Sequence, residues 1–289
     1  MSNHNVEILI ETLQIINQGS YHVNNKTVKL RLSKQQIEAS TVLLPEDIQN
    51  ICSREEILAT RTGTSRVDCV KQDSFAAAIQ LMKNRAQLGE SVKPVLVLNF
   101  ANPVNIGGGV YKGASTQEED LCRRSSLLRS LENSNAWRYY AYNRSLHTHM
   151  GSDAMIFSPE VEIIRDEDAK LIEETAVVSV LTCAAPMISY GMEGMSEDAY
   201  REMFGNRIKR MLKCAAYFGY EDMILGAWGC GAFGNDAAVV AELFLQAFDE
   251  LQVKELFRNV VFAVRSRGGE SYNFREFYQR FGGKEPFVL

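Results

Sequence analysis

The sequence predicts a three-layer α/β/α domain, in which a mostly parallel or mixed β-sheet lies between two layers of helices. Two observations predict this fold class. From residue 65 onward, short apolar runs rich in β-branched residues alternate with longer segments of helical periodicity. In addition, 46% of the 289 residues are hydrophobic, which is enough to form one sizeable core.

The first 60 residues are predicted to be rich in helix. Apolar periodicity predicts helices at residues 6–17, 34–40 and 45–52, and a short strand pattern covers residues 28–32. No group of residues with an evident chemical function stands out in this part of the chain.

The remaining chain is predicted to alternate between strands and helices. Strands are predicted at residues 66–70, 94–100, 154–157, 161–164, 176–181, 223–227 and 260–264. Helices are predicted at residues 74–88, 115–130, 197–218, 237–251 and 271–281. In such sheets the ligand lies outside the carboxyl ends of the strands, where loops carry the chemistry.

Charge and composition limit the classes of function. The net charge of −5 argues against general attachment to nucleic acid or to anionic membranes, so any phosphate site must be local. The N-terminus lacks the basic segment of a signal peptide, and no apolar run reaches transmembrane length. The six cysteines form no C-x-x-C pair, which is typical of free thiols, and we therefore expect a cytoplasmic protein.

The first glycine-rich loop follows the predicted strand at residues 94–100. Its three consecutive glycines, residues 107–109, permit positive φ and let backbone N–H groups come close to a ligand. Such a loop suits a phosphate group. A helix is predicted directly after it, with Ser115 or Thr116 as its N-cap and a capping box from Ser115 to Glu118.

Two neighbouring glutamates, Glu118 and Glu119, lie in the first turn of that helix. Acidic residues favour helix N-termini because of the helix dipole, and this explanation needs no catalysis. A carboxylate pair directly behind a phosphate-binding loop is also the arrangement needed to cleave a bond one sugar away from a diphosphate. Because neighbours on a helix point about 100° apart, one carboxyl should reach the scissile oxygen while the other binds a sugar hydroxyl.

The second glycine-rich loop precedes the helix predicted at residues 237–251. Gly229, Gly231 and Gly234 match the dinucleotide-binding pattern G-x-G-x-x-G, so a nicotinamide-dependent oxidoreductase is one alternative. That pattern belongs in the first βα turn of a Rossmann domain, whereas here at least four predicted strands precede it. The loop fits better as a second diphosphate site, in which backbone amides and a helix N-terminus supply the positive potential.

The spacing of the first loop resembles the signature of poly(ADP-ribose) glycohydrolases: three glycines, seven residues, and then Q-E-E. The following L-C-R-R-S-S and the second loop, L-G-A-W-G-C-G-A-F-G-N-D, are similar to the bacterial branch. The preceding F-A-N, with Asn102, is more like the animal enzymes. Where bacterial sequences usually have Asn after A-P, this chain has Met187, so a polar contact there is not expected.

This resemblance implies a macro-domain-like catalytic domain at residues 63–289 and an N-terminal helical extension, residues 1–62, packed on it. It implies hydrolysis of the ribose–ribose O-glycosidic bond of poly(ADP-ribose) at chain ends, with release of ADP-ribose and without a cofactor. The expected substrates are poly(ADP-ribose) or an ADP-ribosylated protein, without a membrane partner and without general nucleic-acid binding.

The resemblance also implies the roles of individual residues. The second glutamate, Glu119, is the general acid, and as a carboxylate it then activates water. Glu118 positions the substrate, Phe233 lies against the ribose beside the scissile bond, and Asn102 is a candidate for a hydrogen bond to a ribose hydroxyl. The predicted ligand-binding residues are Asn102, Gly107, Gly108, Gly109, Gln117, Gly229, Gly231, Ala232, Phe233, Gly234 and Asn235.

Two other candidate sites are weaker. His147 and His149 have no further residues nearby that would complete a metal site, so we predict loop histidines and no metal. Cys230 has no histidine near it in the sequence to activate a thiolate, so we predict a structural role.

Two further functions remain possible on the sequence. One is removal of single ADP-ribose units from a protein or nucleic acid, and the other is non-catalytic binding of ADP-ribose. The glutamates count against the second, since binding a diphosphate does not require carboxylates beside it. The sequence does not decide the physiological acceptor or the oligomeric state.

Overall fold

The computed structural model describes residues 3–54, 65–89, 94–266 and 269–282. Its strands are β1 (Ser20–Val23), β2 (Lys26–Lys29), β3 (Thr41–Leu43), β4 (Arg66–Val70), β5 (Leu96–Phe100), β6 (Met155–Arg165), β7 (Leu171–Cys183), β8 (Asp222–Leu225) and β9 (Asn259–Ala263).

Eleven helices are found among the described residues. They are α1 (Asn3–Gln18), α2 (Lys34–Glu38), α3 (Pro45–Cys52), α4 (Ser74–Gln87), α5 (Gln117–Arg124), α6 (Leu127–Leu131), α7 (Trp137–Ser145), α8 (Glu197–Tyr217), α9 (Ala237–Glu250), α10 (Val253–Leu256) and α11 (Tyr272–Phe281).

A mixed sheet of seven strands in the order β3-β6-β7-β5-β8-β9-β4 lies at the centre. The five strands from β7 to β4 run parallel to one another. The remaining two, β6 and β3, are joined by antiparallel pairing, so β6 begins at the edge where the parallel strands end. This edge therefore collects the loops after β7, β5, β8, β9 and β4.

Apolar side chains on the two faces of the sheet form two separate cores. On β5, Leu96 and Leu98 face a core built with α3, α8, α9 and α11. Val95 and Val97 face the opposite core, which is built mainly with α1 and α4 to α7. This alternation has the period of two expected for a strand buried on both faces, and it confirms the predicted three-layer α/β/α architecture.

The N-terminal segment contains more β structure than predicted. Strand β1 pairs with β2 in a two-stranded sheet, and β3 pairs with β6 at the edge of the central sheet. Neither β1 nor β3 was expected, since both are short. The division at residues 62 and 63 stays a prediction, because that boundary lies outside the described residues.

The single helix predicted at residues 115–130 is wrong. Helix α5 ends at Arg124, and Ser125 is extended, with φ −150° and ψ −178°. Ser125 forms an isolated bridge with Ile163 of β6, and the Ser126 N–H donates to the Glu162 carbonyl 3.0 Å away. Pairing with a distant strand therefore divides the segment into α5 and α6.

The two strands predicted at residues 154–157 and 161–164 are one strand, β6. A shift of register between Ser158 and Val161 accommodates Pro159, which lacks the N–H that regular pairing needs. Helix α7 was not predicted. Among the described residues, no helix has both the length and the apolar character needed to cross a membrane.

Candidate active site

Gln117, the first residue of α5, fastens the helix to the end of β5. Its Oε1 accepts from the Phe100 N–H at 2.9 Å, and its Nε2 donates to the Leu98 carbonyl at 2.8 Å and to Ser74 Oγ at 3.0 Å. Both ends of this amide are used within the protein. Gln117 thus sets the position of the two glutamates that follow, and direct ligand binding by it stays a prediction.

The carboxyl group of Glu118 is held between β5 and the loop that follows. Its Oε2 accepts from the Asn102 N–H at 2.8 Å, and its Oε1 accepts from Asn99 Nδ2 at 3.2 Å. The residue is only 2% exposed. Burial raises the pKa of Glu118 from 4.5 to about 8, and the nearby charge of Glu119 adds to this, although both hydrogen bonds oppose it.

Asn99 links the carboxyl group of Glu118 to Thr182 of β7. Its Nδ2 lies 3.1 Å from Thr182 Oγ1, while its buried Oδ1 accepts no hydrogen bond from the described part of the chain. Sequence reasoning missed Asn99, although a polar residue within the apolar run L-V-L-N-F was a usable signal.

Glu119 lies against the glycine loop. Its Oε1 accepts from the Gly109 N–H at 2.8 Å, and the Thr116 hydroxyl donates to its Oε2. Thr116 is the N-cap of α5 and makes no side-chain cap, so the predicted capping box from Ser115 is wrong. Glu119 instead holds the hydroxyl of Thr116 through its own carboxylate.

Both carboxylates converge on Gly108. A Cβ at this position would collide with Glu119 Oε1 and would lie 2.9 Å from Glu118 Oε2. Gly108 also has a φ of +61°, which side chains rarely adopt. The N–H groups of Gly108 and Gly109 donate to the Asn105 carbonyl and to Glu119, so within the site these glycines allow close approach. Their contact with a phosphate stays a prediction.

Asn102 shapes the start of the same loop. Its backbone N–H holds Glu118, and its Oδ1 accepts from the N–H groups of Val104 at 2.9 Å and Asn105 at 2.8 Å. The side-chain oxygen is therefore engaged in the turn.

The buried side chain of Asn235 supports the second glycine-rich loop from inside the protein. This buried side chain donates to the carbonyls of Pro186 at 2.8 Å and Gly229 at 2.9 Å, and accepts from the Tyr200 hydroxyl at 2.7 Å. A Cβ on Gly229 would collide with the Asn235 amide. Asn235 therefore supports the loop, and both hydrogens of its amide are used within the protein.

Phe233 lies at the tip of this loop. Its carbonyl accepts from the N–H groups of Ile188 at 2.8 Å and Ser189 at 3.1 Å, which joins the loop after β8 to the loop after β7. Its side chain is half-buried, packs against the core and lines a cleft between this loop and the first turn of α5.

A cleft of about 270 Å³ lies between the first turn of α5 and the second loop. Five of the predicted residues line it: Gln117, Gly229, Gly231, Ala232 and Phe233. Gly234, Asn235 and the first-loop residues do not line it, and the two glutamates lie on the adjoining face of α5. Lining residues that sequence reasoning missed include Asp73, Ser74, Phe100, Trp228, Arg265 and Asn273.

A buried ion pair fixes α5 to α4. Arg124, which is 1% exposed, lies 2.7 Å from Asp120 and 3.1 Å from Asp73, the N-cap of α4. Its guanidinium also lies over the ring of Phe75, 5.6 Å from the centroid. Adjacent arginines after Q-E-E were the available signal, but only the fold identifies their partners.

The minor candidates have no catalytic surroundings. Burial raises the pKa of the Cys230 thiol, which disfavours the thiolate that a nucleophile needs. Within the described ranges, no three His, Cys, Asp or Glu side chains are grouped so that they could hold a metal ion. His147 and His149 are exposed in the loop before β6.

Comparison with known proteins connects this geometry to a family. The profile of "Microbial-type PARG, catalytic domain" matches residues 10–166, more than half of the chain. No curated protein matches the sequence.

Solved structures of poly(ADP-ribose) glycohydrolases match the whole fold. The enzyme from Thermomonospora curvata bound to the inhibitor ADP-HPD is 29% identical, with 97% of this chain and 100% of that chain covered and a TM-score of 0.84. The Deinococcus radiodurans enzyme in complex with ADP-ribose is 30% identical, with 88% and 98% covered and a TM-score of 0.77. On the profile match and this similarity, the chain belongs to the family of microbial-type poly(ADP-ribose) glycohydrolase catalytic domains.

Proposed function

We propose that this protein hydrolyses the ribose–ribose O-glycosidic bond of poly(ADP-ribose) and releases ADP-ribose. The observation that carries the proposal is the convergence of two buried carboxyl groups, Glu118 and Glu119, on Gly108 beside the cleft. The substrate class follows from the relatives, whose structures hold ADP-ribose or ADP-HPD.

The bound ADP-ribose unit occupies the cleft between the two loops. Its diphosphate lies near the N-terminus of α9 and the backbone of residues 229–233, which favour an anion. Its distal ribose lies between Phe233 and the glycine loop, next to the carboxyl pair. The small side chains at Gly231 and Ala232 leave the backbone of this loop accessible.

Glu119 is the general acid and base of the reaction. The family resemblance supports this choice over Glu118, and so do the contacts: Glu119 accepts from the Gly109 N–H of the glycine loop, whereas Glu118 is held by Asn99 and Asn102. As an acid it protonates the leaving 2′-oxygen while an oxocarbenium-like ribose develops. As a carboxylate it then takes a proton from the attacking water, so both steps use the same side chain.

Glu118 positions the sugar. Its carboxyl is held by Asn99 and Asn102, and a pKa of about 8 keeps it mostly protonated at neutral pH. A neutral carboxyl can donate a hydrogen bond to a ribose hydroxyl and, since it carries no charge, does not repel the diphosphate.

Other parts of the proposal rest on the family resemblance and on the free cysteines. Cleavage at chain ends, a macro-domain-like catalytic domain at residues 63–289 and a packed extension at residues 1–62 are proposed from the family resemblance. The cytoplasmic location is supported by six cysteines that are all free.

The test measures release of ADP-ribose from poly(ADP-ribosyl)ated protein by the wild type, Glu119→Gln and Glu118→Gln, with parallel titrations of ADP-ribose. For Glu119→Gln we expect a rate about 10² to 10⁴ lower with binding retained. Glu118→Gln should act mainly on KM. A wild type that binds ADP-ribose but leaves the polymer intact would refute the proposal, and mono-ADP-ribosylated proteins and nucleic acids would be tested next.

A further inference from the structure

The strand order of the central sheet divides the surface around Glu118 and Glu119 into two sides, which β5 separates. The cleft lies over the carboxyl ends of β5, β8, β9 and β4, with Ala185 after β7 at its border, and the glutamates lie beside the end of β5. On the other side of β5, the loop after β7 and the segment before β6 form the surface. A polymer whose terminal unit fills the cleft and whose scissile bond lies at Glu119 must continue on this second side.

Exposed aromatic and basic side chains lie on this second side. We call them the α7 strip, and its members are Trp137, Arg138, Arg144, His149 and Tyr190. The Arg144 guanidinium lies over the ring of Trp137, 4.7 Å from its centroid. The rings of His149 and Tyr190 lie 5.3 Å apart. Trp137 is 51% exposed and Tyr190 is 77% exposed, so each ring has a surface that a ligand can reach.

Both parts of the α7 strip are joined to the catalytic loops. Arg144 donates through Nε and Nη2 to the Val104 carbonyl, at 3.0 and 2.6 Å, in the loop that holds Glu118. Tyr190 directly follows Ser189, whose N–H donates to the Phe233 carbonyl. With strands about 4.8 Å apart, the distance from β5 across β7 to β6 is roughly 10 Å, within reach of the next unit of the polymer.

The charge of this region is opposite to that of the whole chain. Residues 133–152 contain no aspartate or glutamate but contain two arginines and two histidines, whereas the chain has a net charge of −5. Glu132 and Asp153 flank this segment, and Glu193 accepts from Thr148 Oγ1 and the His149 N–H, both at 2.6 Å. Arg138 is exposed, and no described residue forms an ion pair with it.

We propose that the α7 strip binds the part of the poly(ADP-ribose) chain that lies beyond the scissile bond. Aromatic rings stack on its adenines, and the arginines contact its diphosphates, as in other proteins that bind single-stranded polyanions carrying bases. The inference rests on the proposed function, since it takes the orientation of the polymer from the position of Glu119. It adds a second subsite that free ADP-ribose does not occupy.

The test compares two ligands, free ADP-ribose and poly(ADP-ribose) chains of defined length, on a background of Glu119→Gln, in which cleavage is expected to be slow. Trp137→Ala should weaken polymer binding about fivefold or more and leave ADP-ribose binding within about twofold. Arg138→Glu should weaken polymer binding and reduce its dependence on salt. Lys83→Glu is the control, since it reverses an exposed charge near the C-terminal end of α4, away from the strip.

Polymer binding that is unchanged in both strip variants would overturn the inference. If Trp137→Ala loses affinity equally for both ligands, the inference is also overturned. The one exception is that Trp137→Phe, which keeps an aromatic ring, recovers polymer binding but not ADP-ribose binding. If oligoadenylate RNA binds as tightly as poly(ADP-ribose), the α7 strip is a nucleic-acid site instead. Failure of the proposed function is seen separately, as absence of ADP-ribose release by the wild type.

Discussion

The backbone N–H of Asn102 donates a 2.8 Å hydrogen bond to Glu118 Oε2, and this bond joins the loop after β5 to the first turn of α5. The two residues are 16 positions apart, with the three glycines between them. The bond therefore closes the glycine loop around the carboxyl pair.

Gly108→Ala should abolish most of the activity. Its Cβ would enter the space of both carboxylates at a φ of +61°, so at least one glutamate must move. We expect ADP-ribose release to fall about 10²-fold or more, measured beside circular dichroism to show that the fold is retained. Gly205→Ala on α8 is the control, because its Cβ would meet only Leu243 Cδ2 at an ordinary 3.6 Å. Near-normal activity in Gly108→Ala would contradict the described convergence.

Glu118 should make stability dependent on pH. Its pKa is about 8 in the folded state and 4.5 when solvated, so between these values the folded protein holds a proton that the unfolded chain releases. The free energy of unfolding therefore falls as pH rises from about 4.5 to 8. Glu118→Gln lacks this proton and should melt higher than the wild type at pH 8.5, by roughly 4 °C or more, and by less at pH 5.

Differential scanning fluorimetry across this pH range measures the effect. Glu202→Gln, at an exposed position on α8, controls for the loss of one carboxyl group. A melting-temperature gap between Glu118→Gln and the wild type that does not widen with pH would show that Glu118 is ionised in the folded state.

Arg124→Leu should destabilise the protein strongly. The substitution leaves Asp73 and Asp120 without their shared buried cation, and removing one partner of a buried pair costs about 3–5 kcal/mol. Arg201→Leu, which breaks the exposed pair with Glu197, should cost less than about 1 kcal/mol. Urea unfolding of both variants tests this difference, and equal midpoints would mean that Arg124 does not fasten α5 to α4.

Cys52 should be the most reactive thiol among the cysteines. A hydrogen bond with Cys214 lowers its pKa, and Lys213 and Arg210 act in the same direction against partial burial. Its alkylation by iodoacetamide, followed by mass spectrometry, should rise with pH through an inflection well below that of Cys69. Cys214→Ala should move that inflection upward. Burial raises the pKa of Cys69 to about 12, so this thiol serves as the internal control.

Sequence reasoning was strongest where structure depends on neighbouring residues. The boundaries of β4 and α3 are as predicted, because apolar periodicity, the proline at the start of α3 and the N-terminal position of its acidic residues are local signals. The order strand, glycine loop, helix and Q-E-E is also local, and it placed both glutamates at the end of β5.

Contacts between distant parts of the chain decided the rest. The residues around Ser125 predict a helix, whereas its β-bridge to Ile163 of β6 explains why α5 ends before it. Thr41–Leu43 is too short to be a strand by itself and is one because β6 offers free backbone groups.

The sequence by itself determined the family, the fold class and the two loops that border the site, since each depends on residue types at fixed spacing. Only the tertiary structure decided the state of the side chains there. The pKa of Glu118 depends on burial against Asn99, and Asn235 is turned inward by Tyr200 and Pro186. The physical reason is that burial and hydrogen bonding are set by neighbours in space, which spacing along the chain does not specify.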